Sequence, residues 1–454
     1  MQVKNKTILS FIMCTSLWGL PSLAGNYREL SLTALEKDVL QESDLLKSKK
    51  FDLEAGVAKR NANPSSYMPK FSLDGYYKYV TEIPSLSIGP GKELQFGDNE
   101  NYSLGASMNM VLLDFNAKKD HQESLDRSVK AKKYELQSLT EDILQKVRFH
   151  YINLFLISEK QVLLSESLKL AKDQLRDVEN RIKFGTGTRV DRLSARKEVI
   201  ELKSQFLETQ SQMSIELSEI QKLTGNIQQD ILQSPISFMV ESSEFKSQNI
   251  IKIDSYNKLL KKFSPFLERQ IKIQSHPKVA AIEEQARSQE LQSESIKSGR
   301  LPKISLFARS SLDYPNGPIK EDIHQNVVGL TLSMPLFDGG EISHSIQEKR
   351  ANSDSFKAMA RAQNTSLLAL YTVTLEKIRN LKEQKNVLEK KVQDSDEIAK
   401  LIFQSYMDGR ATFIEVERAN IKHRESKQQL SLNHYHTLNH LMILAALTGD
   451  SYEI

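Results

Sequence analysis

A short glycine turn interrupts a long helical pattern, and it occurs twice in the sequence. Gly185 and Gly409 hold the same place in the two copies, 224 positions apart (409 − 185). A glycine here can take the left-handed conformation that ends one helix. After each glycine, a Thr three residues before an acid is typical of a capping box, which begins the next helix. The sequence therefore predicts two helical hairpins in one duplicated chain.

The tips of these hairpins are predicted at about residues 182–191 and 406–415. The residues expected to build the turns are Gly185, Gly187, Thr188, Gly409 and Thr412. Each tip ends in an acid, Asp191 or Glu415. In the first turn of a helix, an acid hydrogen bonds to free backbone amides and interacts favourably with the helix dipole.

Two uninterrupted helical runs lead into the tips. Residues 116–183 and 341–408 contain neither Gly nor Pro. At about 1.5 Å per residue, each run would span roughly 100 Å as a helix. A helix of that length has to be covered by neighbours, so the runs predict coiled-coil packing.

Four segments alternate between apolar and polar residues, as strands with two different faces do. They are predicted at about 70–80, 101–113, 303–312 and 326–337. One face of these strands is polar and is expected to carry Lys70, Asp74, Lys78, Ser103, Asn109 and Arg309. The first pair is joined by a loop at about 82–100, which is nine residues longer than its counterpart in the second half.

The order of these elements divides the chain. Residues 1–24 have the charge and apolar run of a signal peptide, with cleavage expected near Ala24. The first repeat is predicted at 25–225 and the second at 276–454. Between them, 226–275 loses the regular pattern and is interpreted as an equatorial linker of mixed helix and strand.

Charge and motifs exclude several function classes. The formal net charge is +4, a value that gives no reason to expect a nucleic-acid partner. The segment Gly89–Lys92 lacks the first Gly and the Ser or Thr of a phosphate-binding loop. His436 and His440 share a helix face without the acid of a metalloprotease motif, so a polar interhelical face is the preferred interpretation. We expect no catalytic set, no metal and no cofactor, and therefore no enzyme.

Four strands in one chain are too few to close a membrane sheet. Strands of about ten residues are long enough to span an outer membrane when tilted, but open edges are not tolerated in lipid. Three copies would supply twelve strands, an even number that suits an antiparallel barrel. The helices of three copies would extend that barrel as a tube.

This organisation resembles the TolC-like outer membrane factors of Gram-negative bacteria. The resemblance rests on the duplicated order of helix, strands, long helix, tip and return helix, and on the spacing from Gly185 to Asp191 and from Gly409 to Glu415. It implies a mainly α-helical homotrimer in which a twelve-stranded β-barrel continues into a coiled-coil tunnel. Such a trimer would contact outer-membrane lipid, a periplasmic adaptor (membrane fusion protein) and an inner-membrane RND or ABC transporter. It would serve as a passive exit duct for efflux or type I secretion.

The resemblance also implies a gate at the periplasmic tips. Matched residue by residue, Tyr406 and Glu415 would face the bore and Asp191 would help to lock it. This chain departs from the family pattern with Arg410 one position earlier than the usual Arg, and with Arg418 in place of a second acid. The simpler alternative is that both acids only cap helices.

A second function class fits the long helices alone. A periplasmic coiled-coil adaptor or scaffold that never enters the outer membrane would need the hairpins but not the alternating strands. The four alternating segments are the sequence feature that argues against it.

Overall fold

The computed structural model describes residues 28–63, 67–224, 251–269 and 276–448. The predicted signal peptide (1–24) lies outside these residues, as do 226–250 and 270–275 of the predicted linker. In the described part, the chain is mostly helical and carries one four-stranded sheet.

The described helices include two very long ones, each followed by a return helix. In chain order they are α1 (Leu32–Glu42), α2 (Asp44–Ala62), α3 (Ala117–Lys183), α4 (Arg189–Thr224), α5 (Tyr256–Phe263), α6 (Pro277–Ser298), α7 (Glu341–Met407) and α8 (Phe413–Thr448). A short 3-10 helix, Ser264–Glu268, follows α5.

The strands fall into one large sheet and two short pairs. They are β1 (Arg28–Leu30), β2 (Lys70–Tyr79), β3 (Ser85–Gly89), β4 (Lys92–Gln95), β5 (Glu100–Leu113), β6 (Ile251–Ile253), β7 (Lys303–Tyr314) and β8 (Ile323–Ser333). The last strand ends earlier than predicted because Pro335 lacks the amide that a sheet ladder needs.

The two helical hairpins repeat each other in length. Helices α3 and α7 have 67 residues each, and α4 and α8 have 36 each. At 1.5 Å per residue the longer helices extend about 100 Å. α3 packs against α4 and α6, α7 packs against α8 and α6, and α3 also contacts α8. The two hairpins therefore lie side by side within one chain.

The first helical segment is broken, although the sequence from Leu30 to about Asn63 has a helical pattern. Ser43 has an extended ψ of 117° and separates α1 from α2. Serine followed by an acid, here Asp44, is favoured at a helix start. The helical pattern is therefore present on both sides of a break at Ser43.

The large sheet has the order β2-β5-β7-β8, with every neighbouring pair antiparallel. Directly paired residues point to the same side of a sheet. The register pairs Ser72 with Ser107 and Ser107 with Arg309, which places the two polar runs together. All six residues predicted for the polar face share it: Lys70, Asp74, Lys78, Ser103, Asn109 and Arg309. The sheet is open, since β2 and β8 end it on either side.

The polar face has its own hydrogen bonds. Ser103 is buried and donates to Asp313 Oδ1, while Arg309 Nη2 donates to the Ser103 hydroxyl at 3.2 Å. Ser107 donates to Asp74 Oδ2 at 2.9 Å. Polar groups along this face are thus paired across strands.

A buried polar junction ties the start of the chain to the described part of the predicted linker. β1 pairs with β6 in parallel. The Tyr151 hydroxyl lies 2.7 Å from the Leu30 carbonyl oxygen and accepts a hydrogen bond from the Asp254 amide at 2.9 Å. Burial opposes ionisation of Asp254, but hydrogen bonds from Lys258, the Leu32 amide and Tyr151 outweigh it and lower the pKa of this carboxyl.

A second buried contact lies beside this junction. Arg148 Nε donates to Glu36 Oε1 at 2.6 Å, and Lys262 bonds to the other oxygen of the same carboxylate. Both Arg148 and Glu36 are buried, so losing either partner would leave a charge in the core. The core around them contains Tyr151, Phe155, Phe263 and Leu438.

Across the described ranges, every helix is too short or too polar to cross a membrane.

His434 supplies a prediction for the pH dependence of stability. Its ring stacks on Tyr256 with the centroids 4.0 Å apart. Burial, helped by the charge of Lys385 and opposed by Glu389, lowers the pKa of His434 to about 4, from 6.5. Below pH 6.5 the His434 ring therefore takes up a proton in the unfolded chain, whereas in the folded chain it stays neutral until about pH 4. This contribution to stability is complete above pH 6.5 and is lost as the pH falls through that window.

His434→Phe keeps a ring on Tyr256 and removes the titrating group. We expect its thermal unfolding midpoint to fall less between pH 6.5 and 4 than that of the wild type, as followed by circular dichroism. His121→Phe, at an exposed histidine, is the control and should behave like the wild type. An identical pH profile for His434→Phe and the wild type would contradict this explanation.

Candidate functional site at the helical tips

The first tip begins where α3 ends at Lys183. Gly185 has a φ of +77°, a left-handed conformation in which a side chain is strained. Its amide donates to the Ile182 carbonyl at 3.0 Å, and the Thr186 amide donates to the Arg181 carbonyl at 2.9 Å. The turn therefore satisfies the last carbonyls of α3.

The second glycine of this tip is needed for space. A Cβ on Gly187 would lie 2.9 Å from the Ile182 backbone nitrogen and 2.8 Å from Ile182 Cγ1. A backbone atom cannot move aside as a flexible side chain can. The chain can therefore pass this close to Ile182, near the end of α3, only if residue 187 is a glycine.

The second tip repeats the first. Gly409 has a φ of +78°, and its amide donates to the Tyr406 carbonyl at 3.0 Å. The Arg410 amide donates to the Ser405 carbonyl at 2.8 Å.

Both reciprocal hydrogen bonds of a capping box are present at each tip. The Thr188 amide donates to Asp191 Oδ2 and the Asp191 amide donates to the Thr188 hydroxyl, both at 3.1 Å. The Thr412 amide donates to Glu415 Oε2 at 2.7 Å, and the Glu415 amide donates to the Thr412 hydroxyl at 3.4 Å. Each acid therefore completes the N-terminal cap of the helix that follows its tip.

Glu415 is held ionised by these bonds. Hydrogen bonds from the Thr412 amide and hydroxyl lower its pKa, and the charge of Arg418 adds a smaller contribution. Glu415, Arg410 and Arg418 are exposed, and neither arginine forms an ion pair within the described ranges. The second tip thus presents one carboxylate and two free guanidinium groups to its surroundings.

One arginine joins the two tips. Arg181, in the last turn of α3, donates from Nη1 to the Met407 carbonyl oxygen at 2.7 Å. Its guanidinium also lies over the Tyr406 ring, 4.8 Å from the centroid. A cation at the C-terminal end of α7 interacts favourably with the helix dipole as well as with the ring. Arg181 therefore locks the end of the first hairpin onto the end of the second.

Under this arginine lies an apolar cluster made by both hairpins. Its buried members are Val178, Ala195, Tyr406, Phe413 and Val416. The Tyr406 and Phe413 rings meet edge to face with centroids 5.5 Å apart. An edge-to-face aromatic pair contributes about 0.5–1.5 kcal/mol beyond the area it buries.

The position of Tyr406 differs from the expectation that it faces an open bore. It is only 4 % exposed and packs between the two tips of its own chain. Its hydroxyl has no hydrogen-bond partner among the described residues, and burial, followed by the negative charge of Asp191, raises its pKa. The two hairpins lie side by side and leave an apolar seam between them. The Tyr406 ring fills this seam, which accounts for its burial.

Sequence reasoning missed two residues of this contact, Arg181 and Phe413. The one available signal was a basic residue in the last turn of a helix, a common C-terminal feature. Among the described residues, no group of three or more metal-ligating side chains is present.

Comparison with known proteins shows which family the chain belongs to. The profile of the outer membrane efflux protein family matches residues 35–226 and 270–450, which include both tips and all four strands of the large sheet. The chain belongs to the outer membrane efflux protein family. It is also 21% identical over 256 residues to the proteases secretion protein PrtF of Dickeya chrysanthemi. That match covers 56% of this chain and 52% of PrtF, so the chain spans about half the length of this relative.

Solved structures of outer-membrane channels share the fold of this family member. The outer membrane protein VceC of Vibrio cholerae superposes with a TM-score of 0.74 at 15% identity, covering 92% of this chain and 96% of VceC. The CmeC channel of Campylobacter jejuni gives 0.73 at 17% identity, covering 92% and 85%. At such low identity, the likeness establishes the fold.

Arg181→Met should loosen the tips, because it removes the bond to Met407 and the cation over Tyr406 while keeping an apolar side chain. Losing about 1–2 kcal/mol would raise the population of opened tips roughly 5- to 30-fold. Hydrogen–deuterium exchange of residues 403–412 measures this directly. Arg189→Met, at an exposed arginine of the same tip, is the matched control. Equal exchange in the two variants would show that Arg181 does not hold the tips together.

Proposed function

We propose that this protein is the passive exit duct of a tripartite efflux or type I secretion system in the outer membrane. The observation that carries the proposal is the combination of two hairpins about 100 Å long with an open sheet that has one polar and one apolar face. Family membership supports the same function.

The open sheet supports a trimer. β2 and β8 carry unpaired backbone groups, which cannot stand in lipid. Three copies would join β8 of one chain to β2 of the next and close a twelve-stranded barrel. The same threefold arrangement would bring the helical hairpins into a closed coiled-coil tunnel below it.

The faces of the sheet support this arrangement. Large apolar side chains on one face are exposed in the single chain, among them Phe71, Leu73, Val328 and Leu330. In the barrel they would contact outer-membrane lipid. The opposite face, with Lys70, Asp74, Lys78, Ser103, Asn109 and Arg309, would line the lumen.

Localisation and partners complete the proposal. The duct would lie in the outer membrane of a Gram-negative bacterium, with a signal peptide at 1–24 cleaved near Ala24 and its helical tips in the periplasm. There it would meet an adaptor (membrane fusion protein) and an RND or ABC transporter, which would supply the energy. PrtF is named as a protease secretion protein, and this supports a polypeptide as one class of cargo.

The periplasmic gate is proposed at the tips. Tyr406 and Arg181 would hold the two hairpins of one chain together, and three copies of Glu415, Arg410 and Arg418 would surround the axis. Like charges at a constriction repel and set ion preference, so the arginines would reduce the cation selectivity of the carboxylates. Asp191 would contribute its charge beside Tyr406.

The alternative of a periplasmic adaptor or scaffold is less well supported. It gives no reason for an open four-stranded sheet whose apolar side chains are exposed along β2 and β8. A protein that stays in water would be expected to cover such a face.

Leu73→Lys should impair assembly in the membrane, because a charge on the lipid-facing side of a barrel costs about 2–4 kcal/mol near the midplane. Ser72→Lys places the same charge one residue away on the polar face, beside Asp74, and is the matched control. The readout is the amount of heat-modifiable trimer in the outer-membrane fraction. Equal amounts for both variants would contradict the assignment of the two faces, and a wild type without such a trimer would contradict the proposed function.

Tyr406→Ala should open the tips, since it removes the ring that contacts Arg181 and Phe413. Tyr406→Phe is the control: it keeps the ring and deletes only a hydroxyl that hydrogen bonds to none of the described residues. Single-channel conductance in a planar bilayer should rise for the alanine variant and stay at the wild-type value for phenylalanine. A rise of the same size in both, or in neither, would place the gate elsewhere.

A further inference from the structure

The β3–β4 hairpin lies in the predicted loop at 82–100 and has two chemically different faces. Leu86 pairs directly with Leu94 across it, whereas Ser87 pairs with Glu93 and Ser85 with Gln95. Because side chains alternate along a strand, Phe96 falls on the same face as the leucine pair. Ile88, next to Ser87, also falls on this face, where the register shifts between Ser87 and Gly89. Leu86, Ile88, Leu94 and Phe96 are 56%, 63%, 40% and 48% exposed. The hairpin therefore presents an apolar face that nothing in the described chain covers.

This hairpin begins beyond the aromatic residues that end the large sheet. Tyr77 pairs with Tyr102, and Tyr102 pairs with Tyr314. The rings of Tyr102 and Tyr314 stack with their centroids 5.0 Å apart. In membrane barrels, aromatic rows of this kind mark the boundary between hydrocarbon and water. The hairpin follows β2 after Tyr79 and thus lies outside the hydrocarbon, so lipid chains are not the partner of its apolar face.

The base of the hairpin is fixed to the neighbouring loop of the same chain. Asp98 accepts hydrogen bonds from the Tyr314 hydroxyl at 2.7 Å and from Lys320 Nζ at 3.0 Å. The Asn99 side chain donates to the Val80 carbonyl at 2.9 Å, which closes the base from the other side. These bonds hold the two ends of the hairpin at the rim of the sheet.

Its apolar face needs a partner. A two-stranded hairpin is marginally stable alone in water, and exposed apolar patches mark interaction surfaces. The second repeat has no such hairpin in its shorter connection between β7 and β8. The second repeat therefore offers no matching hairpin as the partner, whereas the proposed trimer would bring two further copies of β3–β4 to the same rim.

The dimensions fit a second copy of this chain. Twelve strands about 4.8 Å apart, tilted about 40°, enclose a barrel of radius about 12 Å. The five residues of β3, at about 3.3 Å each, extend about 17 Å. A hairpin folded inward from the rim is long enough to reach the axis and meet its counterparts.

We propose that the β3–β4 hairpins of three copies fold over the outer mouth of the barrel and pack their apolar faces together at the axis. They form a second constriction, at the opposite end of the duct from the helical tips. This rests on the proposed trimeric channel. Asp98 positions each hairpin, and Leu86, Ile88, Leu94 and Phe96 form the contact.

Cysteine crosslinking tests the contact directly. Cys14 is the only cysteine in the chain, so Ile88→Cys in a Cys14→Ser background places a single thiol on the apolar face. Mild oxidation of purified trimer should convert most of the protein into a disulfide-linked dimer, because two of three thiols at one axis can pair. Ser87→Cys, one residue away on the polar face, is the control and should remain monomeric on a denaturing gel.

Conductance tests the constriction. Ile88→Asp places three like charges where the apolar faces would meet, and their repulsion should raise single-channel conductance about twofold or more over the wild type. Ser87→Asp should leave conductance unchanged. Replacing residues 85–95 by a short Gly-Ser linker should raise conductance at least as much as Ile88→Asp.

The outcomes separate this proposal from the proposed function. Heat-modifiable trimers that conduct, but with Ile88→Cys no more crosslinked than Ser87→Cys, would overturn the hairpin contact and leave the channel intact. Crosslinking without any change in conductance for Ile88→Asp would overturn the constriction. Absence of trimers in the wild type would instead overturn the channel itself.

Discussion

A helix about 100 Å long with a narrow apolar seam depends on being covered along its whole length. Neighbouring helices meet this requirement for α3 and, in part, for α7. α3 is covered by its return helix α4, by α2 and α6, and by α8 from the other hairpin. α7 has α8 and α6. Much of its apolar surface stays exposed in one chain, including Leu368, Val387 and Leu401, and neighbouring copies are the partners that the proposed trimer would supply.

The two tips show how the hairpins are kept in register. Capping boxes at Thr188 and Thr412 begin the return helices, but they act within each hairpin. Arg181, through Tyr406 and the Met407 carbonyl, and the apolar cluster beneath it join one hairpin to the other at this end. Midway along α3, the buried junction around Tyr151 and Asp254 ties β1 to β6. Helix α3 is thus held by polar contacts at its tip and at its middle, with apolar packing between them.

Local chemistry explains what could be read from the sequence. A glycine with positive φ and a Thr followed by an acid are signals carried by a few adjacent residues, so Gly185, Gly409 and both caps were predictable. Alternation along β2 and β5 fixed which residues share a face, because the period of a strand is two. The duplication made these weak signals strong, since each was present twice at one offset.

The features that escaped prediction depend on residues distant in sequence or on small choices between similar states. The burial of Tyr406 requires Val178 and Ala195, more than 200 positions earlier, and no pattern near Tyr406 reveals them. The break at Ser43 is one dihedral angle in an otherwise helical pattern. The β3–β4 hairpin lies in a stretch rich in Gly and Pro, where turn residues hide a short apolar alternation. The division into domains and the roles of the gate residues remain predictions.

Because α3 and α7 are equal in length, their ends lie side by side and Arg181 can reach the Met407 carbonyl. Removing seven residues from α3 and seven from α4 would shorten the first tip by about 10 Å and leave Arg181 facing the side of α7 instead of its end. A change in the length of one hairpin therefore has to be matched in the other, in steps that preserve the apolar seam.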